Sequence, residues 1–407
     1  MDYVDTFTLL KNVFTQEPDA IPIPCSPVSM VNCSFSSCGR SVLPGAGKYT
    51  CEKHGTGFTE SADAGRELFP QPMGLSIHDV SFGSNSTFRY TTFVPSGATQ
   101  AGRVIILLHG LNERYWHKYL PWAMRLAEHT GSAVVLFPIA FHMNRAPDDW
   151  SRPKAMKSVA AERQGQFASI AASTFANAAI SSRLQAIPQR FFWSGMQTYS
   201  DILQLVRMIR QGTHPLFAAG AHVDFFAYSI GSFLAQIVLM ADEEQLFSES
   251  RLFIFCGGPT FDRMYPVSKY IMDSEALIAL YAFFVEHLEN EFKRDARLAH
   301  YFGQHPAGLY FQAMLSHRKM KDVREQRLRA IARRVASLAL SSDTVIQPAE
   351  VLNTLQGDFR DIPIPVEIMD FPFPYTHVSP FPLLQEARNE VSRCFDSVFE
   401  RAATFLQ

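Results

Sequence analysis

The sequence has no apolar run long enough to cross a bilayer. The longest, Ala276 to Val285, is roughly half of the ~20 residues that a membrane-spanning helix needs. It also lacks an excess of either charge: 37 Lys and Arg stand against 39 Asp and Glu, a net charge of −2. A nucleic-acid partner held on a basic face is therefore not expected. Charged residues are sparse at 19%, against 47% hydrophobic, which argues against global disorder and for a large core. The opening stretch, MDYVDTFTLLKNVF, has neither the basic start nor the apolar centre of a secretory signal. These absences predict a soluble, cytoplasmic protein without a transmembrane segment.

Cysteine is scarce as well, six in 407 residues. Cys256 and Cys394 fall in periodic segments and read as buried reduced thiols. The other four lie early, and NCSFSSCGRSVLPGAGKYTCEKHG spaces three of them with a histidine as Cys33-x4-Cys38-x12-Cys51-x2-His54. Four soft ligands in two pairs suit tetrahedral zinc, and the glycine after Cys38 resembles a metal knuckle. The first pair is spaced more widely than the commoner x2, and Cys25 competes as a ligand. Structural zinc, unligated thiols and disulfides in an oxidising compartment all stay open. No water-activating carboxylate set accompanies the cluster, so a catalytic zinc is not expected.

Residues 1–74, rich in Pro, Gly, Ser and Cys, read as an irregular N-terminal extension holding this small module. From Leu75 the pattern becomes regular. LSIHDVSF and FRYTTFVP are predicted strands joined by the turn-rich GSNS. RVIILLHG, SAVVLFPIA, HVDFFAYS, SRLFIFCGG, VASLALSS and IPVEIMDF are further apolar strands. Helical patterns separate them, and strands alternating with helices predict a mostly parallel central sheet flanked by helices. The expected core is 75–261 with 335–407. It is interrupted by an insertion at 141–196 and by a helical cap or lid at 262–334.

One strand-to-helix joint carries chemistry. FFAYSIGSFLAQ, Phe225 to Gln236, runs from an apolar strand through Ser229 directly into a helical pattern. That is the setting of a nucleophile elbow. Small residues are needed two before and two after the serine, where Ala227 and Gly231 stand, because the strand and helix backbones approach closely. The turn exposes the hydroxyl and places the Ile230 N–H at the helix N-terminus, where an oxyanion is stabilised. A serine needs a base. Asp343 follows the strand VASLALSS, and His377 lies in the proline-rich loop FPFPYTHVSPFP. Asp242 and Asp262 are less well placed alternatives to Asp343. His109-Gly110 closes RVIILLHG, where the glycine allows a sharp turn under a substrate and makes the Leu111 N–H a second oxyanion donor. His109, Gly110 and Tyr228 are the expected substrate contacts.

On His109-Gly110, AYSIG at 227–231, Asp343 with Pro348 beyond it, and His377, the chain resembles the α/β-hydrolase superfamily from roughly Leu75 to Gln407. The resemblance implies a Ser229–Asp343–His377 triad, an acyl-enzyme hydrolysed by water, and no cofactor for catalysis. It implies a small-molecule acyl substrate, with an ester or thioester as the leading reading, and the aromatic-rich, apolar cap segment points to a lipid-like acyl chain. A peptidase or amidase, and a non-catalytic binding protein on the same fold, are the alternatives.

Overall fold

The computed structural model describes residues 1–60, 75, 78–97 and 100–407. Its frame is a nine-stranded sheet in the order β1 (Ala20–Pro22), β2 (Val28–Ser36), β5 (Thr87–Pro95), β7 (Ala133–Leu136), β6 (Ala101–Leu108), β8 (Phe217–Tyr228), β9 (Leu252–Phe255), β10 (Val335–Leu340), β11 (Val366–Met369). From β7 to β11 every neighbouring pair is parallel, while β1, β2 and β5 join antiparallel at one side. A separate hairpin pairs β3 (Lys48–Cys51) with β4 (Thr56–Thr59). This is the α/β-hydrolase fold.

The central strands are continuous apolar runs because both faces of the sheet are covered. Alternate residues divide between two cores, as a period of two requires. Val104, Ile106 and Leu108 of β6, with Phe225 and Ala227 of β8, face one core. Ile105, Leu107, Phe226 and Tyr228 face the other. Helix Tyr119–Thr130 and the final helix Arg388–Leu406 pack on the second face. Helices Arg190–Arg210 and Ile230–Ala241 pack on the first.

The N-terminal segment differs from the expected irregular extension. Its first helix, Tyr3–Val13, docks on the final helix. The Tyr3 N–H donates to Ser392 Oγ at 3.0 Å, and the Tyr3 ring centroid lies 4.7 Å from that of Phe395. β2 pairs with β5 along its whole length, from Val28↔Pro95 to Ser36↔Thr87. The main sheet thus begins well before Leu75. Within the predicted strand LSIHDVSF, Ser76 and Ile77 lie outside the described residues, Asp79–Ser81 is a 3₁₀ turn, and GSNS forms a short helix.

Two insertions follow the carboxyl ends of β7 and β9. The first carries helices Pro153–Gln166 and Ala178–Ala186 and leads into Arg190–Arg210. The second, between β9 and β10, is helical almost throughout. A buried bidentate pair joins them: Arg163 Nε and Nη2 donate to Asp273 at 2.7 and 2.8 Å. Such a fork is directional and resists sliding. The basic stretch at 317–334 is partly internal. Arg324 is fully buried and donates to the carbonyls of Ala313, Ser316 and His317.

Candidate active site

β8 ends at Tyr228 and the helix Ile230–Ala241 begins two residues later, with Ser229 alone at the corner. Ser229 has φ 55° and ψ −125°, a region that non-glycine residues occupy only under constraint. The constraint is visible next door. A Cβ on Gly231 would stand 2.7 Å from the carbonyl oxygens of both Leu108 and His109. Only glycine lets the helix start this close to β6. The corner thereby turns the Ser229 side chain out of the sheet.

Three strand ends converge there. Ser229 Oγ lies 2.7 Å from His377 Nε2, and His377 Nδ1 lies 2.7 Å from Asp343 Oδ2. All three are buried. Asp343 Oδ1 accepts from the Val345 and Ile346 N–H groups at 2.9 Å each, which fixes the carboxylate plane. His377 sits at the tip of a tight turn, closed by reciprocal backbone bonds between Thr376 and Ser379. The turn is tied to the Asp343 loop through the Tyr375 hydroxyl, which accepts from the Ser342 N–H and donates to Asp370. The alternative acids are engaged elsewhere: Asp262 with Thr260, Ser316 and His317, and Asp242 with Phe247 and Ser248.

Leu111 and Ile230, which carry the expected oxyanion donors, line the same cavity. Ile230 is the first residue of its helix, so its N–H has no acceptor within it. Among the described residues, no carbonyl outside a helix or strand accepts from the N–H of Leu111 or of Ile230. The loop that carries Leu111 is braced by residues the sequence did not flag. Tyr119 OH accepts from the Gly110 N–H at 3.0 Å and donates to Glu113 Oε1 at 3.1 Å. Lys118 pairs with Glu113 and donates to the Val378 carbonyl at 3.0 Å, joining the loop to the His377 turn. Asn112, in a left-handed conformation with φ 61°, donates from Nδ2 to Ala176 O and Tyr270 O at 2.8 and 2.7 Å. It thereby links the loop to both insertions. Asn112→Asp keeps the shape but sets a carboxylate against two carbonyls. We expect a loss of about 1–3 kcal/mol in stability and of about tenfold or more in kcat, read by thermal melts and ester hydrolysis.

His109 and Tyr228 stand behind the site. His109 Nε2 accepts from the Ile139 N–H at 2.9 Å, and its Nδ1 meets Gly110 O at 2.8 Å. Burial, with His142 close by, holds it neutral, well below the usual histidine range. The Tyr228 ring stacks on His377 at 5.3 Å and 16°, with Lys118 Nζ 4.8 Å from the Tyr228 ring centroid. Burial pushes its hydroxyl well above the usual range, so it stays protonated. Neither residue lines either of the two cavities at the site; they position the Leu111 loop and the His377 ring.

Those two cavities meet at Leu111. One is apolar and small, about 60 Å³, and runs between Ile230, Phe233, Phe311, Gly195 and His142. The other is wider, about 470 Å³, and is bounded by Arg114, Trp150, Tyr270 and the residues flanking His377. His142 is an addition to the expected set. Burial pushes it down to about 3, its Nδ1 lies 2.9 Å from Ala140 O, and its buried Nε2 has no partner among the described residues.

The predicted metal ligands do not converge as a set. Cys33 is held in β2 opposite Tyr90 of β5, and Cys38 begins a 3₁₀ turn with Sγ 3.9 Å from Ser200 O. Sheet register and the Arg190–Arg210 helix keep both thiols at those places. Cys51 and His54 do meet, at the β3–β4 turn. All six cysteines are free.

The family described as "Family of unknown function (DUF6051)" matches residues 1–407. No curated protein matches the chain significantly. The structure is similar to carboxyl esterase 2 from the fungus Tuber melanosporum at 10% identity and a TM-score of 0.44, over 80% of this chain and 83% of that one. It is similar to a thermostable esterase from Pseudomonas putida at 9% and 0.44, over 79% and 80%. A third likeness is a hyperthermophilic esterase from the archaeon Pyrobaculum calidifontis at 13% and 0.40, over 79% and 82%. No helix among the described residues is long and apolar enough to cross a membrane.

Proposed function

The chain belongs to the DUF6051 family, and from its site we propose a serine hydrolase that cleaves a carboxylic ester or thioester through an acyl-enzyme on Ser229. The observation that carries this reading is the relay of two 2.7 Å contacts, Ser229 Oγ to His377 Nε2 and His377 Nδ1 to Asp343 Oδ2. His377 Nε2 takes the Ser229 proton as Oγ attacks the acyl carbon. The oxyanion forms against the N–H groups of Leu111 and Ile230. Collapse breaks the bond to the leaving group, which receives the proton from His377. Water, deprotonated by the same imidazole, then attacks the acyl carbon, and the acid leaves as the Oγ–acyl bond breaks and Ser229 Oγ takes the proton back from His377. Asp343 holds the ring with Nδ1 protonated and stabilises its charged form. Nucleophile, base and water complete this chemistry, so the reading calls for no cofactor.

The two cavities suggest how a substrate divides. The apolar one suits the acyl chain. Its 60 Å³ corresponds to roughly four to six water-sized groups at ~10–15 Å³ each, which favours short acyl chains. The wider, more polar cavity suits the leaving group. Gly195 offers a clean test because a Cβ there meets nothing within 4 Å and the residue lines the apolar cavity. Gly195→Leu is expected to leave acetyl ester hydrolysis nearly intact and to cut butyryl or hexanoyl ester hydrolysis by about tenfold or more. Equal losses on all chain lengths would place the acyl group elsewhere.

Fluorophosphonate labelling of purified protein, with the adduct located by mass spectrometry, tests the reading itself. The label is expected on Ser229 and absent from Ser229→Ala and His377→Ala. A panel of esters, thioesters and amides then separates an esterase from an amidase. Folded protein that takes no label would favour a non-catalytic binding role.

A further inference from the structure

We propose that Cys51, His54, His300 and His305 form a closed, four-ligand site for a divalent transition-metal ion, zinc above all, that clamps the β3–β4 hairpin to the helical cap. One ligand atom from each of these side chains lies within 4.8 Å of all the others. Cys51 Sγ is 3.3 Å from His54 Nδ1 and 3.2 Å from His305 Nε2. Around a tetrahedral zinc, bond lengths of about 2.3 Å to sulfur and about 2.0–2.1 Å to nitrogen put neighbouring ligand atoms about 3.3–3.6 Å apart. The two contacts of Cys51 lie within a few tenths of an ångström of it, and the other pairs, none farther apart than 4.8 Å, close onto it by small side-chain rotations.

The backbone is arranged to deliver these groups. β3 ends on Cys51, which pairs with Thr56 at the start of β4, so Cys51 and His54 share one hairpin turn. The His54 N–H donates to Cys51 O at 3.2 Å, and Gly55 closes the turn at φ 63°. His300 lies on helix Ala296–Gln304. His305 caps the next helix, Pro306–Leu315. On one continuous helix, residues five apart would point about 140° away from each other. Pro306 ends the first helix at His305, and the break brings both rings to the same side.

Hydrogen bonding among the four does not account for the cluster. A thiol has one proton and can donate to only one of the two imidazoles beside it. The buried His300 Nε2 has no hydrogen-bond partner among the described residues. The three rings stand edge to face, with centroids 4.9–5.5 Å apart and planes at 75–84°, and converge on one another. Surrounding contacts fix their directions, as outer partners of a metal site do. Tyr301 stacks flat on His305 at 4.5 Å and 4°. Arg297 is held between Tyr49 of β3 and Trp193, 3.6 and 4.0 Å from the ring centres. One thiolate and three imidazoles select zinc-like ions over calcium or magnesium. Four protein ligands leave no open position, so the role is structural.

The clamp acts on the cap beside the site described above. His305 starts the helix whose Ala307 and Phe311 line the apolar cavity. Metal at His305 would hold that wall in place. This link to substrate selection rests on the hydrolase reading; the metal site does not.

The test uses the full-length protein. Elemental analysis is expected to find about one zinc per chain. After chelation, added cobalt(II) is expected to give the intense visible bands of a tetrahedral ion and a sulfur-to-cobalt charge-transfer band. Cys51→Ser and His300→Ala should lose both signals, whereas Cys33→Ser and Cys38→Ser should keep them. Chelation should lower Tm while leaving fluorophosphonate labelling of Ser229 detectable, so failure of one reading is distinguishable from failure of the other. Chelated wild-type protein that stays folded and shows no tetrahedral cobalt spectrum would overturn the site. Loss of the spectrum in Cys33→Ser or Cys38→Ser, with retention in Cys51→Ser, would do so equally. The wild-type measurement decides the matter even if a variant fails to fold.

Discussion

Ser229→Ala is expected to lower ester turnover by about 10⁵- to 10⁶-fold while leaving the fold unchanged. The alanine removes the Oγ that stands 2.7 Å from His377 Nε2 and with it the acyl-enzyme route. The loss should not be additive. The double variant Ser229→Ala/His377→Ala should be no slower than Ser229→Ala, because an unattacked substrate has no use for the base. Asp343→Asn should cost about 10⁴-fold. Oδ1 already accepts from two backbone N–H groups, so the amide N–H₂ would be left to face His377 Nδ1. It would push the imidazole into the tautomer that cannot take a proton from Ser229. Steady-state kinetics on a short-chain ester, with circular dichroism as the fold control, reads all three variants. Ser229→Ala with turnover within tenfold of wild type would end the acyl-enzyme reading.

Gly231→Ala should have the second largest effect, through geometry alone. Its Cβ would sit 2.7 Å from two backbone oxygens, those of Leu108 and His109, and neither can rotate away as a side chain could. The helix must move off β6. It carries the Ile230 N–H with it and relaxes Ser229 from its constrained φ of 55°. We expect a stability loss of about 1–3 kcal/mol and a kcat loss of about 100-fold, typical of a misplacement near 1 Å. Gly195→Ala is the matched control. It too is a helical glycine, but its Cβ meets open space, so it should gain about 0.5–1 kcal/mol. Thermal melts and ester kinetics on the pair separate the loss of helical glycine from the loss of this one close approach. Full activity in Gly231→Ala would mean that the elbow tolerates a Cβ and is not under the strain described.

Much of the parallel sheet and the serine corner was legible beforehand because the signals are local. RVIILLHG and HVDFFAYS are buried on both faces and read as strands from composition. AYSIG needs only five consecutive residues to announce a strand-to-helix turn. Asp343 and His377 are legible as candidates because each follows a strand in its own stretch of chain. The N-terminal segment was less legible. β2, VSMVNCSFS, is polar enough to pass for loop, and its stability comes from pairing with β5, whose partner residues lie about sixty positions away.

The sequence by itself determined the alternation of strands and helices, the constrained serine turn and the chain order of Ser229, Asp343 and His377, since each depends on neighbours within a few residues. Tertiary structure alone decided what meets what. Sheet register brought His377 to Ser229 across 148 positions and held Cys33 and Cys38 away from Cys51. The cap carried His305 to Cys51 across 254. Lys118, Asn112 and His142 took their places by packing. Periodicity records how a segment folds on itself, and convergence of distant side chains is settled only when register and close packing fix every element at once.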